Sequence, residues 1–268
     1  MIKVLFIGDI VGEPGRTAYM RALPSFIKEF DIDVVIANGE NAAAGRGITP
    51  KLTTELLNAG THVVTTGDHV WDQAELIPWL HCEHRIVRPL NYPKGTPGRG
   101  STVIDTVKGK LAVIQVQGRT FTQPPLENPF VMIEQEVADI HQEHGSIPII
   151  VDIHAETTSE KISMGYFLDG KVSAVIGTHT HVQTADETIL ENGTAYLTDA
   201  GMCGPSNSVL GREKDPIIKR FLTALPTKFP VANWPVRICG AVITIDETTG
   251  KAVAIERISR VMEKTTQA

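Results

Sequence analysis

Val172-Ser-Ala-Val-Ile-Gly-Thr-His-Thr-His181 is an apolar, β-branched run that stops at Gly177 and then delivers two histidines at spacing i, i+2. The run reads as a buried strand. On an extended segment, residues two apart point to the same side. Two imidazoles leaving a strand end together are either a pair of metal ligands or two surface histidines in a turn. What the other strand ends carry decides between these readings.

Working outward, four more apolar runs read as strands that end in ligand-type residues. Ile2 to Ile7 is followed by Gly8-Asp9, and Asp33 to Ala37 by Asn38-Gly39-Glu40-Asn41. His62 to Thr66 is broken by Gly67-Asp68-His69, and Ile147 to Ile153 ends at His154. In open α/β sheets, ligands bind outside the carboxyl ends of the strands, so five strand ends would deliver these groups to one rim. A carboxylate, amide and imidazole set without thiolate suits Mn, Fe, Ni or Zn. Asp9, Glu40, Asn41, Asp68, His69, His154, His179 and His181 are too many for one ion and suit two ions sharing a carboxylate. Each also has a plain reading. Asp9 fits a turn, Glu40-Asn41 a polar loop, Asp68-His69 a helix cap and His154 a satisfied core histidine. Only their coincidence at one rim argues for chemistry. His62, His81, His84, His141 and His144 stand outside the pattern.

The intervening segments read as helices over Arg16–Phe30, Pro50–Ala59, Gln73–Cys82, Pro129–His144, Thr157–Leu168 and Glu213–Ala224. Pro24 predicts a kink or early end in the first of these. Residues 101–106 and 110–116 read as a hairpin, as do 236–245 and 252–258. Residues 85–99 and 117–129 read as long loops. The order βαβαβα, β-rich, βαβ, β-rich predicts largely parallel strands covered by helices, plus antiparallel pieces able to form a second sheet. With no linker, one domain over residues 1–268 is expected.

The chain has 268 residues, 42% hydrophobic and 21% charged, with net charge −6. That is a globular composition, and it argues against a general nucleic-acid coat. Cys82, Cys203 and Cys239 form no CxxC, so neither a disulfide framework nor a structural zinc site is expected. Gly12-Glu-Pro-Gly15 fits neither a dinucleotide fingerprint nor a P-loop. No secretory leader and no apolar run of ~18–20 residues is read, so the expected compartment is the cytoplasm. Oligomeric state, a homo-oligomer included, is left open.

Gly8-Asp9, Gly39-Glu40-Asn41, Gly67-Asp68-His69, His154 and Gly177-Thr-His-Thr-His181 together resemble the motifs of the calcineurin-like metallophosphoesterases. Within them the chain is similar to the bacterial YmdB family of phosphodiesterases, over essentially its whole length, including Val70-Trp71-Asp72, Gly118-Arg119-Thr120-Phe121 and His154-Ala155-Glu156. The resemblance implies a four-layer α/β/β/α sandwich with two mixed β-sheets. It implies a binuclear enzyme, commonly with iron or manganese, zinc or nickel being compatible, acting on cyclic nucleotide phosphodiesters of the 2′,3′ or 3′,5′ kind. Carried over, Asp9, Asn41 and His181 hold the first ion and Asp68, His154 and His179 the second. Glu40 bridges them, and His69 is the catalytic acid. Two departures stand out. Ile10-Val11 follow Asp9 where the superfamily has Asp-x-His, with Asn41 filling that place, and Asp68 replaces the usual Asn. In such a site a water activated between two cations roughly 3.5–4 Å apart attacks phosphorus in line, and His69 protonates the leaving oxygen. Arg46 and Arg119, in glycine-bearing loops, are candidate substrate contacts. A phosphomonoesterase or nucleotidase with the same metals, or a regulatory RNA-associated protein with a structural metal site, are the rival expectations. The small phosphodiester is the expected partner, without a membrane and without sequence-specific nucleic-acid binding.

Overall fold

The computed structural model describes residues 1 to 264. In chain order the strands are β1 (Ile2–Ile7), β2 (Asp9–Ile10), β3 (Val34–Asn38), β4 (Val63–Thr65), β5 (Ile86–Val87), β6 (Ser101–Thr106) and β7 (Gly109–Gln117). Then come β8 (Ile149–His154), β9 (Ala174–Thr178), β10 (Thr188–Ile189), β11 (Ala195–Leu197), β12 (Met202–Pro205), β13 (Val236–Ile245) and β14 (Ala252–Met262). The helices are α1 (Gly12–Phe30), α2 (Pro50–Asn58), α3 (Leu76–Trp79), α4 (Pro129–His144), α5 (Thr158–Leu168) and α6 (Lys214–Thr223).

Period-two side-chain alternation builds the layers. In β1, Ile2, Val4 and Phe6 face β7, β8 and β9 through Leu111, Val113, Ile150, Ala174 and Ile176. Leu5 and Ile7 face the other way, onto Ala18, Tyr19, Ala22, Leu23 and Phe26 of α1. In the second sheet the outward set, Ala112, Ile114, Val151, Ile153 and Val175, packs on Ile133, Val137 and Ile140 of α4 and Met164 and Leu168 of α5. The result is helices, sheet, sheet, helices: the four-layer α/β/β/α sandwich.

Both sheets are mixed. The first runs β2-β12-β13-β1-β3-β4-β5, with β14 also paired to β13. Its β1, β3, β4 and β5 are parallel, while β13 runs antiparallel to β1, β12 and β14. The second runs β10-β11-β9-β8-β7-β6, parallel from β11 to β7 with antiparallel edges. The five candidate ligand-bearing strands are therefore split, β1, β3 and β4 in one sheet and β8 and β9 in the other.

Local expectations are corrected in four places. α1 begins at Gly12, so the glycine-rich turn is its first turn, and it continues through Pro24 to Phe30. The buried face of Tyr19, Leu23 and Phe26, at ~1.5–3 kcal/mol each, outweighs the ~3 kcal/mol proline penalty. The helix expected over Gln73–Cys82 is only the single turn α3, because Pro78 sits inside it. Met202–Pro205, for which the sequence reading offers no strand, is β12, which pairs with β2 and β13. The loop 85–99 contributes the short strand β5. Among the described residues, no helix is long and apolar enough to cross a membrane.

Candidate metal centre

The layer between the sheets turns polar toward the carboxyl ends of the parallel strands. Along β8 the inward side chains run from Ile150 to Asp152 to His154, all fully buried. Glycines let the strand ends close in. A Cβ on Gly67 would stand 2.0 Å from Glu40 Oε2 and 2.4 Å from His154 Nε2. A Cβ on Gly8 would stand 2.0 Å from the Gly201 carbonyl oxygen. At Gly8 the obstacle is backbone and cannot give way; at Gly67 a side chain would have to displace Glu40 and His154.

Glu40, Asp68, His154 and His179 each offer one ligand atom within 4.8 Å of all the others, so these four could hold a metal ion. His154 Nε2 lies 3.1 Å from Glu40 Oε1, 3.1 Å from Asp68 Oδ1 and 3.0 Å from His179 Nδ1. On the other side of Glu40, Asn41 Nδ2 is 3.1 Å from Glu40 Oε1 and 3.2 Å from His181 Nε2. His181 Nε2 is 3.9 Å from Asp9 Oδ1. Asp9 is wholly buried; the His179 backbone N–H donates to its Oδ2 at 3.2 Å, and its Oδ1 has no hydrogen-bond partner among the described residues. A buried carboxylate oxygen without a donor is costly unless a cation serves it.

The three histidines share one property. His154 Nδ1 meets Thr178 Oγ1 at 2.8 Å, and the Thr178 hydroxyl donates to Asp152 Oδ1 at 2.6 Å. With its proton so used, Thr178 can only accept, which puts the His154 proton on Nδ1 and the lone pair on Nε2. His179 Nε2 faces Glu156 Oε2 at 3.1 Å, and His181 Nδ1 donates to the Leu210 carbonyl at 3.1 Å. In each ring the outer nitrogen is tied to an oxygen, and the inner nitrogen turns its lone pair to the cluster. That is the tautomer of a metal-ligating histidine.

Electrostatics agree. Burial pushes the Asp9 carboxyl up. Burial also acts upward on Glu40, but the adjacent His154 wins and holds it below its ordinary value. Burial pushes Asp68 upward too, yet the facing His154 and His179 imidazoles exceed that push and hold it below the ordinary range. Burial pulls His154 down, yet Glu40, Asp68 and Asp9 together raise it well above 6.5. The cluster thus favours positive charge at this point, whether a proton or a cation.

His69 sits beside the cluster without joining it. Its Nδ1 is 3.1 Å from Asp72 Oδ2 and 3.9 Å from Asp68 Oδ2, and its backbone N–H faces Glu40 Oε2 at 3.5 Å. Arg46 Nε donates to the same Asp72 oxygen at 2.8 Å, so Arg46 is linked to His69 through Asp72. Arg119 stands exposed, its backbone N–H donating to Glu160 Oε1 at 2.9 Å. His62 lies away from the cluster, its Nδ1 accepting from the Val35 N–H at 3.0 Å.

Three acidic residues have no role in the sequence reading: Asp72, Glu156 and Asp152. Asp152 left a signal in the pattern, as the one carboxylate inside the apolar run Ile149–Ile153, whereas Asp72 and Glu156 stand in stretches that carry the resemblance with no role attached. It also accepts from Thr65 Oγ1 at 2.5 Å and Asn38 Nδ2 at 3.1 Å, while Asn38 Oδ1 accepts from the Glu40 N–H at 3.1 Å. Burial raises the Asp152 carboxyl to about 6.

The model of a family described as YmdB-like protein matches residues 5–258. A Bacillus subtilis (strain 168) protein named 2′,3′-cyclic-nucleotide 2′-phosphodiesterase is 46% identical over 257 residues, 96% of each chain. A crystal structure of a Mycoplasma pneumoniae protein titled a novel phosphatase superposes with TM-score 0.91 at 33% identity, covering 98% of this chain and 94% of that one. A hypothetical protein from Thermus thermophilus superposes with TM-score 0.90 at 41% identity, covering 98% of this chain and 100% of that one.

Proposed function

This chain belongs to the YmdB-like protein family, and from that premise we propose that it is a binuclear metal-dependent phosphodiesterase hydrolysing 2′,3′-cyclic nucleotides. The observation that carries the metal reading is the orientation of His154, His179 and His181, each with an outer N–H held by oxygen and an inner lone pair facing carboxylates. The substrate class comes from the Bacillus subtilis relative's name.

In this reading Asp68, His154 and His179 hold one ion, Asp9, Asn41 and His181 the other, and Glu40 lies between them. The ligand set suits Mn, Fe, Ni or Zn, and the family resemblance favours iron or manganese among them. Bound there, the two cations supply the charge that polarises a phosphodiester and activates water for in-line attack. The chain's own residues do the rest. Asp152, Glu156 and the Leu210 carbonyl keep the three imidazoles turned inward. Gly67 leaves the face of the cluster clear of side chain. His69, fixed at Nδ1 by Asp72, gives a proton to the departing ribose oxygen as its bond to phosphorus breaks. Arg46, steadied by Asp72, and Arg119 are read as contacts for the nucleotide's remaining groups.

The test is hydrolysis of 2′,3′-cyclic AMP by manganese-loaded protein. Parallel assays use 3′,5′-cyclic AMP and a monoester, because the Mycoplasma pneumoniae relative is titled a phosphatase. The expected result is diester turnover that vanishes on chelation and falls ~10²–10⁴-fold in His69→Ala. Preferred turnover of the monoester would move the reading to a phosphomonoesterase. No turnover with metals bound would end it.

A further inference from the structure

Lys161 and Asp199 form an ion pair with no solvent exposure, Lys161 Nζ donating to Asp199 Oδ2 at 2.7 Å. Such a pair is a poor source of stability, since apolar residues of the same volume do as well or better. Where the remaining bonds of Asp199 go is more informative. Its Oδ2 also accepts from the Thr180 backbone N–H at 3.1 Å and from the Thr180 hydroxyl at 2.7 Å. Its Oδ1 accepts from the Gly201 N–H at 2.8 Å, and the Gly201 carbonyl accepts from the Asp9 N–H at 3.0 Å.

Thr180 stands between His179 and His181. Both histidines hold left-handed backbone, φ +96° and +66°, a conformation that persists in non-glycine residues only when the surroundings impose it. The turn is closed from below as well. A Cβ on Gly177 would meet the Thr198 carbonyl oxygen at 1.8 Å and Lys161 Cδ at 2.9 Å. One carboxylate thus ties both the histidine turn and the backbone beside Asp9, and Lys161 balances its charge where no water can.

We infer that Lys161 and Asp199 are positioning residues for the metal centre. Asp199 holds His179, His181 and Asp9 in ligand geometry, and Lys161 keeps that buried carboxylate charge-compensated. This rests on reading those three residues as metal ligands.

The experiment measures Mn²⁺ binding to the purified protein by calorimetry and by the electron paramagnetic resonance spectrum of the bound ion, without substrate. Lys161→Met with Asp199→Leu removes pair and anchor together and is expected to fold. Lys161→Met with Asp199→Asn removes both charges but keeps an oxygen for Thr180. Thr180→Val keeps the ion pair and loses one bond to it. The expected Kd for Mn²⁺ rises ~10–100-fold in the Met/Leu variant, less in Thr180→Val and in the Met/Asn variant, and the Mn²⁺ spectrum changes with it. If the folded Met/Leu variant and Thr180→Val both bind Mn²⁺ as the parent does, the inference falls. Should the Met/Leu variant not fold, Thr180→Val decides alone. A parent protein that binds no Mn²⁺ overturns the inference too. One that binds it but hydrolyses no diester overturns the proposed activity and leaves the inference standing.

Discussion

Asp72 illustrates what a residue can do through another. Its Oδ2 holds His69 Nδ1 at 3.1 Å and Arg46 Nε at 2.8 Å. Asp72→Asn is expected to lower kcat toward 2′,3′-cyclic AMP by ~10–100-fold, as loss of a supporting carboxylate does elsewhere, with Mn²⁺ affinity unchanged. Equal kcat in the variant would remove Asp72 from the support of the proposed acid, His69. His62 gives a pH prediction away from the metal. Burial, aided by Arg85, lowers its pKa below 6.5, and its Nδ1 must stay unprotonated to accept from Val35. The neutral form is favoured on folding, so this contribution is complete above pH 6.5 and is lost as pH falls through the lowered folded pKa. Urea titrations should show stability falling as the pH drops below 6.5, and His62→Gln should flatten that part of the profile. An unchanged slope would reject the assignment. At this scale, the candidate ligands were legible because each follows a strand end. Asp72 and Glu156 were not, because their partners are chosen by loop geometry.

At the element scale, β9 makes the tightest demand. Gly177 lies where a Cβ would come within 1.8 Å of the Thr198 carbonyl oxygen, beside the strand pair β9 and β11. A backbone oxygen cannot give way as a side chain can. Gly177→Ala is expected to cost ~3 kcal/mol or more and to weaken Mn²⁺ binding with it, measured by denaturant midpoint and calorimetry. Parental stability in that variant would contradict the packing described. Strands with continuous apolar runs were legible, whereas β2, β5 and β12, of two to four residues, carry too little pattern to announce themselves. They exist because a neighbouring strand offers them hydrogen bonds.

Across the whole molecule, the candidate ligands come from both sheets: Asp9, Glu40, Asn41 and Asp68 follow β1, β3 and β4, while His154 ends β8 and His179 and His181 follow β9. Ions bound there would tie one sheet to the other. At Mn²⁺ a hundredfold above Kd, each site adds ~2.7 kcal/mol to the unfolding free energy, a rise in Tm of roughly 5–10 °C. Differential scanning calorimetry with and without chelator reads this directly. Identical Tm values would mean that no metal binds the folded state preferentially.

By itself, the sequence determined the strand and helix periodicities, the α/β class and the ligand-type residues after five strands, because those signals are local and repeat along the chain. Only the tertiary structure decided that these strands divide between two sheets stacked face to face. It also decided which nitrogen of each histidine faces the cluster, and that Asp152, Glu156 and the Lys161–Asp199 pair stand behind the candidate ligands. Those facts are hydrogen bonds between residues far apart in sequence, and no periodicity encodes them.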